Sequence, residues 1–226
     1  MSQTVPNYRK LSISTINEPQ FRHIKLLLYW PVYGLLFLYF ERIRICTYHP
    51  IESVLDDYIP FVPQFIIPYF FWFVYLIGGL MYFFFKDINT FKRCMWFIII
   101  TYSITSVIYF VYPTCQMLRP AITDNGVFEK IVSGLYAFDT NTNVCPSIHV
   151  LGSMAVCFSF FKCESINKNR VLFQTLNVVI ALLISFSTVF LKQHSIIDVF
   201  WGFVLSFAAY PFCIADNKLT KRLLAI

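Results

Sequence analysis

The chain has 226 residues, of which 58% are hydrophobic, 19% aromatic and only 13% charged, with a net charge of +6. Soluble domains carry about 25% charged residues, so a water-soluble globular domain is excluded, and the length leaves no room for a sizeable soluble module beside several membrane spans. Nor does the positive charge mark a nucleic-acid binder, because the basic residues are scattered between apolar stretches rather than gathered on one patch.

Residues 1–23 are polar, contain Arg9, Lys10 and Arg22, and lack the early apolar core of a cleavable signal peptide. Crossing about 30 Å of hydrocarbon takes roughly 20 apolar residues in a helix. Six stretches are candidates: 24–40, a little short and carrying Pro31; 65–85; 94–112; 147–161, again short; 171–191; and 196–214. Their continuous apolarity lacks the alternation of barrel strands. The predicted fold class is therefore all-α, an integral membrane bundle of six transmembrane helices over 24–214, between an N-terminal segment 1–23 and a tail 215–226.

Basic residues set the expected orientation. The termini, the second loop and the fourth loop share one side and hold Arg9, Lys10, Arg22, Lys25, Lys86, Lys92, Arg93, Lys162, Lys168, Arg170, Lys218, Lys221 and Arg222. The opposite side holds Arg42, Arg44, Arg119, Lys130 and Lys192. The positive-inside rule then predicts cytoplasmic termini. Of the two long outer loops, 41–64 carries Pro50, Pro60, Pro63, Asp56 and Asp57. The other, 113–146, carries Arg119-Pro120 and the expected outer positions Asn125 and Asn141. It also contains an amphipathic stretch, 127–138, whose Phe128, Ile131, Val132 and Leu135 suit a short interfacial helix. The seven Cys have no metal-type spacing and read mostly as small reduced hydrophobes, although Cys115 and Cys145 fall on the same side. His23, His49, Glu41 and Arg42 read as interfacial or solvated positions.

Two constellations carry chemistry. Pro146-Ser147-Ile148-His149 opens the fourth apolar stretch, and His194-Ser195-Ile196-Ile197-Asp198 opens the sixth. Ionisable side chains are costly in a membrane and mark functional sites. His194 and Asp198 are four residues apart and share a helix face. The carboxylate can hold one imidazole nitrogen and leave the other free as nucleophile or base. Both motif mouths fall on the non-cytoplasmic side, which predicts an intramembrane enzyme with its site at the water interface. A mutually satisfied His–Asp pair and a Zn²⁺ site remain the alternatives, although nothing in the pattern requires a metal.

Taken in order, Arg119-Pro120, Pro146-Ser147-Ile148-His149 and His194-x-x-x-Asp198 resemble the type-2 phosphatidic acid phosphatase superfamily, over about residues 24–214. That family's motifs are Lys-x6-Arg-Pro, Pro-Ser-Gly-His and Ser-Arg-x5-His-x3-Asp. Here Tyr112 stands in place of Lys, Ile148 in place of Gly, and Thr188 after Ser187 in place of Arg. These departures, with Leu55-Asp56-Asp57-Tyr58-Ile59-Pro60-Phe61, resemble the branch of inositol phosphorylceramide synthases and bacterial homologues. The resemblance implies His194 as nucleophile, Asp198 as its orienting partner and His149 as general acid, then base. Arg119, Ser147 and Lys192 would bind substrate phosphate, Lys192 replacing part of the missing cationic set. It implies a lipid phosphatase acting on a lipid phosphate or diphosphate, without metal or cofactor, in a membrane and with its site on the outer face. In a prokaryote that membrane is the cell membrane. Transfer to an alcohol acceptor is the alternative, and a non-catalytic membrane protein with a degenerate site the second. Vanadate haloperoxidases use a related site but are soluble.

Overall fold

The computed structural model describes residues 5–123, 126–166 and 169–225; Asn125, Lys168 and the extreme ends of both terminal segments lie outside the described residues. The chain is all-helical, with 70% helix and 2% strand. Among the described residues, five helical segments are long and apolar enough to cross a membrane: Arg22–Ile43, Pro63–Lys86, Ile88–Val111, Arg170–Phe190 and Ile196–Cys213. The first is composite. A 3-10 turn, Arg22–Leu28, leads into helix α1, Tyr29–Leu38, and ends in a π turn, Tyr39–Ile43. Pro31 sits in the first turn of α1, where a missing N–H costs little. A short outer helix α2, Val54–Tyr58, precedes α3, Ile66–Lys86, and α4, Ile88–Val111.

Helix α5, Val127–Phe138, occupies the amphipathic stretch read from the sequence and buries Val132 and Leu135. Then come α6, Ile148–Lys162, α7, Arg170–Phe190, α8, Ile196–Cys213, and α9, Lys218–Ala225. The outer loops are tied by a two-residue parallel pair, β1 His49–Pro50 and β2 Thr114–Cys115, with His49 opposite Thr114. All seven cysteines are free thiols, Cys115 and Cys145 included.

Helix α6 is the hub. It has 15 residues, about 22 Å at 1.5 Å per residue, and is shorter than the hydrocarbon layer. It packs against α3, α4, α7 and α8, and every residue from His149 to Cys157 is buried. A helix wrapped by others need not be uniformly apolar, so Ser153 and Ser159 are tolerated. Close packing demands small residues. A Cβ on Gly152 would lie 2.7 Å from the Tyr102 hydroxyl, and one on Gly202 of α8 would lie 2.8 Å from Val150.

Helix α4 starts earlier than the apolar run. Asp87 caps it by accepting the Thr90 N–H at 3.0 Å, which takes Lys92 and Arg93 into the helix. Both serve the C-terminal segment: Lys92 Nζ donates to the Leu224 carbonyl at 2.7 Å, and Arg93 pairs with Asp216 at 2.6 Å. Lys162 at the end of α6 meets the same carboxylate at 2.7 Å. These contacts occupy one end of the bundle, and the two histidine motifs lie at the other, at the heads of α6 and α8.

Candidate active site

Local capping places His194. Ser195 is the N-cap of α8 and accepts the Ile197 N–H at 3.1 Å, while Asp198 accepts the Ser195 N–H at 2.9 Å. This reciprocal capping box fixes Asp198, which is fully buried. The same Asp198 oxygen lies 3.2 Å from His194 Nδ1. With the proton on Nδ1 donated to Asp198, Nε2 keeps its lone pair.

The head of α6 is held from two sides. The Tyr109 hydroxyl donates to the Pro146 carbonyl at 2.9 Å, and the Tyr102 hydroxyl to the Ile148 carbonyl at 3.2 Å. The Ser147 N–H donates to the backbone carbonyl of Asp198 at 3.1 Å, joining the two motifs directly. The His149 ring lies against Tyr69 and Trp72, with both centroid distances 4.6 Å. Its centroid is 5.7 Å from that of His194, with the rings inclined at 69°. Both histidines line a cavity with about 40 Å³ of space for water-sized occupants. That is room for roughly three waters, a scale closer to one phosphoryl group than to a whole lipid. A wider apolar groove of about 350 Å³ shares Tyr33, Phe37, Ile148, His149 and Asp139 with this cavity. Its other walls include Trp30, Phe70, Phe73, Leu135 and Phe138. Phe70, Phe73 and Phe138 are exposed on the outside of the bundle.

The six residues singled out in the sequence do not all converge. His149, His194 and Asp198 come together, and Ser147 adjoins them as the N-cap of α6, with a buried Oγ that has no partner among the described residues. Arg119 stands one layer back. Its guanidinium donates to the Thr140 carbonyl at 2.8 Å, to the Tyr136 carbonyl at 3.3 Å and to Gln193 Oε1, and its buried Nε has no partner among the described residues. Thr140 and Gln193 line the cavity, whereas Arg119 does not. Lys192 also stays out of the lining. It adopts a left-handed backbone (φ 53°) and sends Nζ to the Asp56 carbonyl at 2.7 Å. Ser187 and Thr188 bond back to the carbonyls of Ile184 and Ser185, so neither hydroxyl replaces the missing cation. His49 stacks on Tyr112 at 4.3 Å. His23 is buried beside the Tyr8 hydroxyl at 2.9 Å, rather than interfacial.

The sequence reading missed several site residues. Asp56 is fully buried and accepts the Ser195 hydroxyl at 2.7 Å, the Ile196 N–H at 2.8 Å and the Ser53 N–H at 2.8 Å. It braces the head of α8 from the outer loop. Its signal was present in Ser53-x-x-Asp56, the pattern of a capping box. Glu41 is not a solvated helix end: the π turn carries it onto the cavity wall, where it accepts the Thr140 hydroxyl. Asp139 lines the same wall and accepts the Tyr69 hydroxyl at 3.1 Å. Burial pushes the Asp139 carboxyl above its ordinary value, opposed by the Tyr69 hydrogen bond and the nearby His194, Arg119 and Arg42.

A helical bundle with membrane-type spans and a buried His–His–Asp cluster at one end defines the class of protein at hand. The model of the PAP2 superfamily matches residues 95–219. The match covers more than half of the chain, and the chain belongs to that superfamily. No curated protein and no solved structure matches it. The matched region includes Arg119, Ser147, His149, Lys192, His194 and Asp198 but not Glu41, Asp56 or Tyr69.

Proposed function

We propose that the protein is a six-pass membrane enzyme that hydrolyses a lipid phosphomonoester or diphosphate at the non-cytoplasmic face through a phosphohistidine. Membership of a superfamily whose members are generally phosphatases or phosphotransferases supports phosphoryl chemistry. The observation that carries the reading is the cavity between His149 and His194, joined to an apolar groove open on the bundle's flank. In-line attack needs about 3–3.5 Å between nucleophile and phosphorus, and proton donation about 3 Å from acid to leaving oxygen. Laid end to end these distances exceed the 5.7 Å separation of the ring centroids, so the phosphoryl group would sit in the cavity that both histidines line, beside the two rings rather than directly between them.

His194 Nε2 attacks phosphorus, the P–N bond forms and the P–O bond to the lipid breaks. His149 gives its proton to the departing lipid oxygen. It then takes a proton from water as water attacks phosphorus and the P–N bond breaks, releasing phosphate. Asp198 holds His194 in the reactive tautomer and stabilises its developing positive charge. Arg119 acts from behind Gln193 and Thr140 as a nearby positive charge, and Ser147 supplies a hydroxyl at the head of α6. The lipid tail lies in the flanking groove.

The test is release of phosphate from lipid phosphates by the purified protein. Turnover by wild type and its loss in His194→Ala is expected; His194→Ala with undiminished turnover would end the phosphohistidine reading. An alcohol in place of water gives the transferase alternative.

A further inference from the structure

The cavity lined by the two histidines has to take a phosphoryl group without a cation of its own. Among the described residues no Lys or Arg lines it, and Glu41 and Asp139 do. Phosphate oxygens only accept hydrogen bonds, and carboxylates close by repel them. They need a donor on the cavity wall.

Gln193 carries one. It lines the cavity and is 2% exposed. The Arg119 guanidinium donates to its Oε1. A guanidinium cannot accept, so the oxygen is the end that faces Arg119 and the –NH₂ is the other end of the amide. That Nε2 is buried and has no partner among the described residues. On the cavity lining, only the ring nitrogen Nδ1 of His149 shares that condition among the described side-chain donors. A buried donor without a partner is costly, and an acceptor that arrives with the substrate removes the cost.

The backbone around this amide is pinned. The Gln193 N–H donates to the Thr188 carbonyl at 2.9 Å, and the His194 N–H to the same carbonyl at 3.2 Å. Gln116, fully buried, donates its Nε2 to the Lys192 carbonyl at 2.8 Å and to the Gln193 carbonyl at 3.4 Å. Residues 192–194 are thereby tied to the end of α7 and to the outer loop, and Gln193 is held next in the chain to the nucleophile.

We propose that the Gln193 amide is the direct hydrogen-bond donor to the phosphoryl group, with Arg119 behind it fixing its orientation and polarising its N–H bonds. The proposal rests on the phosphoryl-transfer reading above and names the residue that takes the place of a phosphate-binding cation. Gln193 Nε2 donates to a phosphoryl oxygen that stays on phosphorus while the P–N bond to His194 forms and the P–O bond to the lipid breaks. No proton leaves the amide. A donor already fixed where charge develops needs no reorganisation during the reaction, and hydrogen bonds in a chain strengthen one another.

The experiment uses the full chain in lipid nanodiscs as wild type, Gln193→Glu and Gln193→Met. The carboxylate in Gln193→Glu still accepts from Arg119, so a purely structural brace would be kept or strengthened; what it loses is the N–H donor. Gln193→Met, of similar length and uncharged, repeats the test without a new carboxylate. Thermal stabilisation by inorganic phosphate is read first and needs no turnover. Both variants are expected to raise the phosphate concentration for half-maximal stabilisation at least tenfold. They are also expected to lower kcat/KM for a lipid phosphate about a hundredfold, the scale of a lost oxyanion donor. Without phosphate, Gln193→Glu should melt no lower than wild type. Phosphate affinity equal to wild type in both variants would overturn the donor and leave Gln193 a brace for Arg119, and so would a wild type that phosphate does not stabilise. His194→Ala separates the two readings. Turnover retained in His194→Ala overturns the phosphohistidine alone, and phosphate stabilisation lost in Gln193→Glu still supports the donor.

Discussion

Asp56 shows how one buried side chain can govern a site it does not touch. Its carboxylate takes three donors, two of them at the head of α8, and its carbonyl takes Lys192 Nζ. Replacing it by Asn puts an N–H₂ where only acceptors fit. Asp56→Asn should cost about 1–3 kcal/mol of stability, as for an unsatisfied buried group, and roughly 10²-fold in turnover through misplacement of His194. Asp56→Glu should recover neither fully, and KM for substrate should change far less than kcat. Unchanged kcat in a folded Asp56→Asn variant would reduce Asp56 to a loop anchor. The sequence made His149, His194 and Asp198 legible, because ionisable residues stand out in an apolar chain and i, i+4 spacing is local. The place of Lys192 was not legible. It depends on a positive φ and on a loop partner 136 residues away, and neither leaves a periodic trace. Glu41 was hidden for a similar reason, since the π turn shifts its face.

Among the elements, the long spans were the most readable and α6 the least. Hydropathy reports exposure to lipid, and α6 is shielded by α3, α4, α7 and α8. Helix α9 was read only as a tail, because eight residues rich in Lys, Arg and Leu show no core until α4 and α8 are beside them. Asp216 joins these elements by pairing with Arg93 of α4 and Lys162 of α6. The Lys162 hydrogen bond is the main reason its carboxyl lies below the ordinary value. A lowered carboxyl stabilises the fold above its unfolded value, about pH 3.9, and that stability is lost as pH falls through the lowered value. Because Asp216 is largely exposed, Asp216→Asn should lower thermal stability at pH 7 by no more than about 1 kcal/mol. The gap from wild type should narrow steadily as pH falls below about 3.9. A gap that stays constant below that pH would show that packing, rather than charge, makes the junction.

At the scale of the whole molecule, the basic contacts and the histidine cluster occupy opposite ends of the bundle, in keeping with the division of charge read from the sequence. The proposed orientation would put Met117 outside and Lys221 inside. In a Cys-free background, an impermeant thiol reagent applied to intact cells should label Met117→Cys and spare Lys221→Cys. The reverse pattern would invert the topology and move the site to the cytoplasmic face. The central proposal, however, is chemical: His194 would carry the phosphoryl group and His149 move the proton. Its most direct measurement is rapid-quench trapping with a ³²P-labelled lipid phosphate, run beside a nitrophenyl phosphate whose leaving group needs little protonation. An acid-labile, base-stable phosphoenzyme should form in wild type and vanish in His194→Ala. In His149→Ala it should form slowly from the lipid but at near wild-type rate from the nitrophenyl ester. Phosphoenzyme persisting in His194→Ala, or equal slowing of both substrates in His149→Ala, would contradict that division of labour.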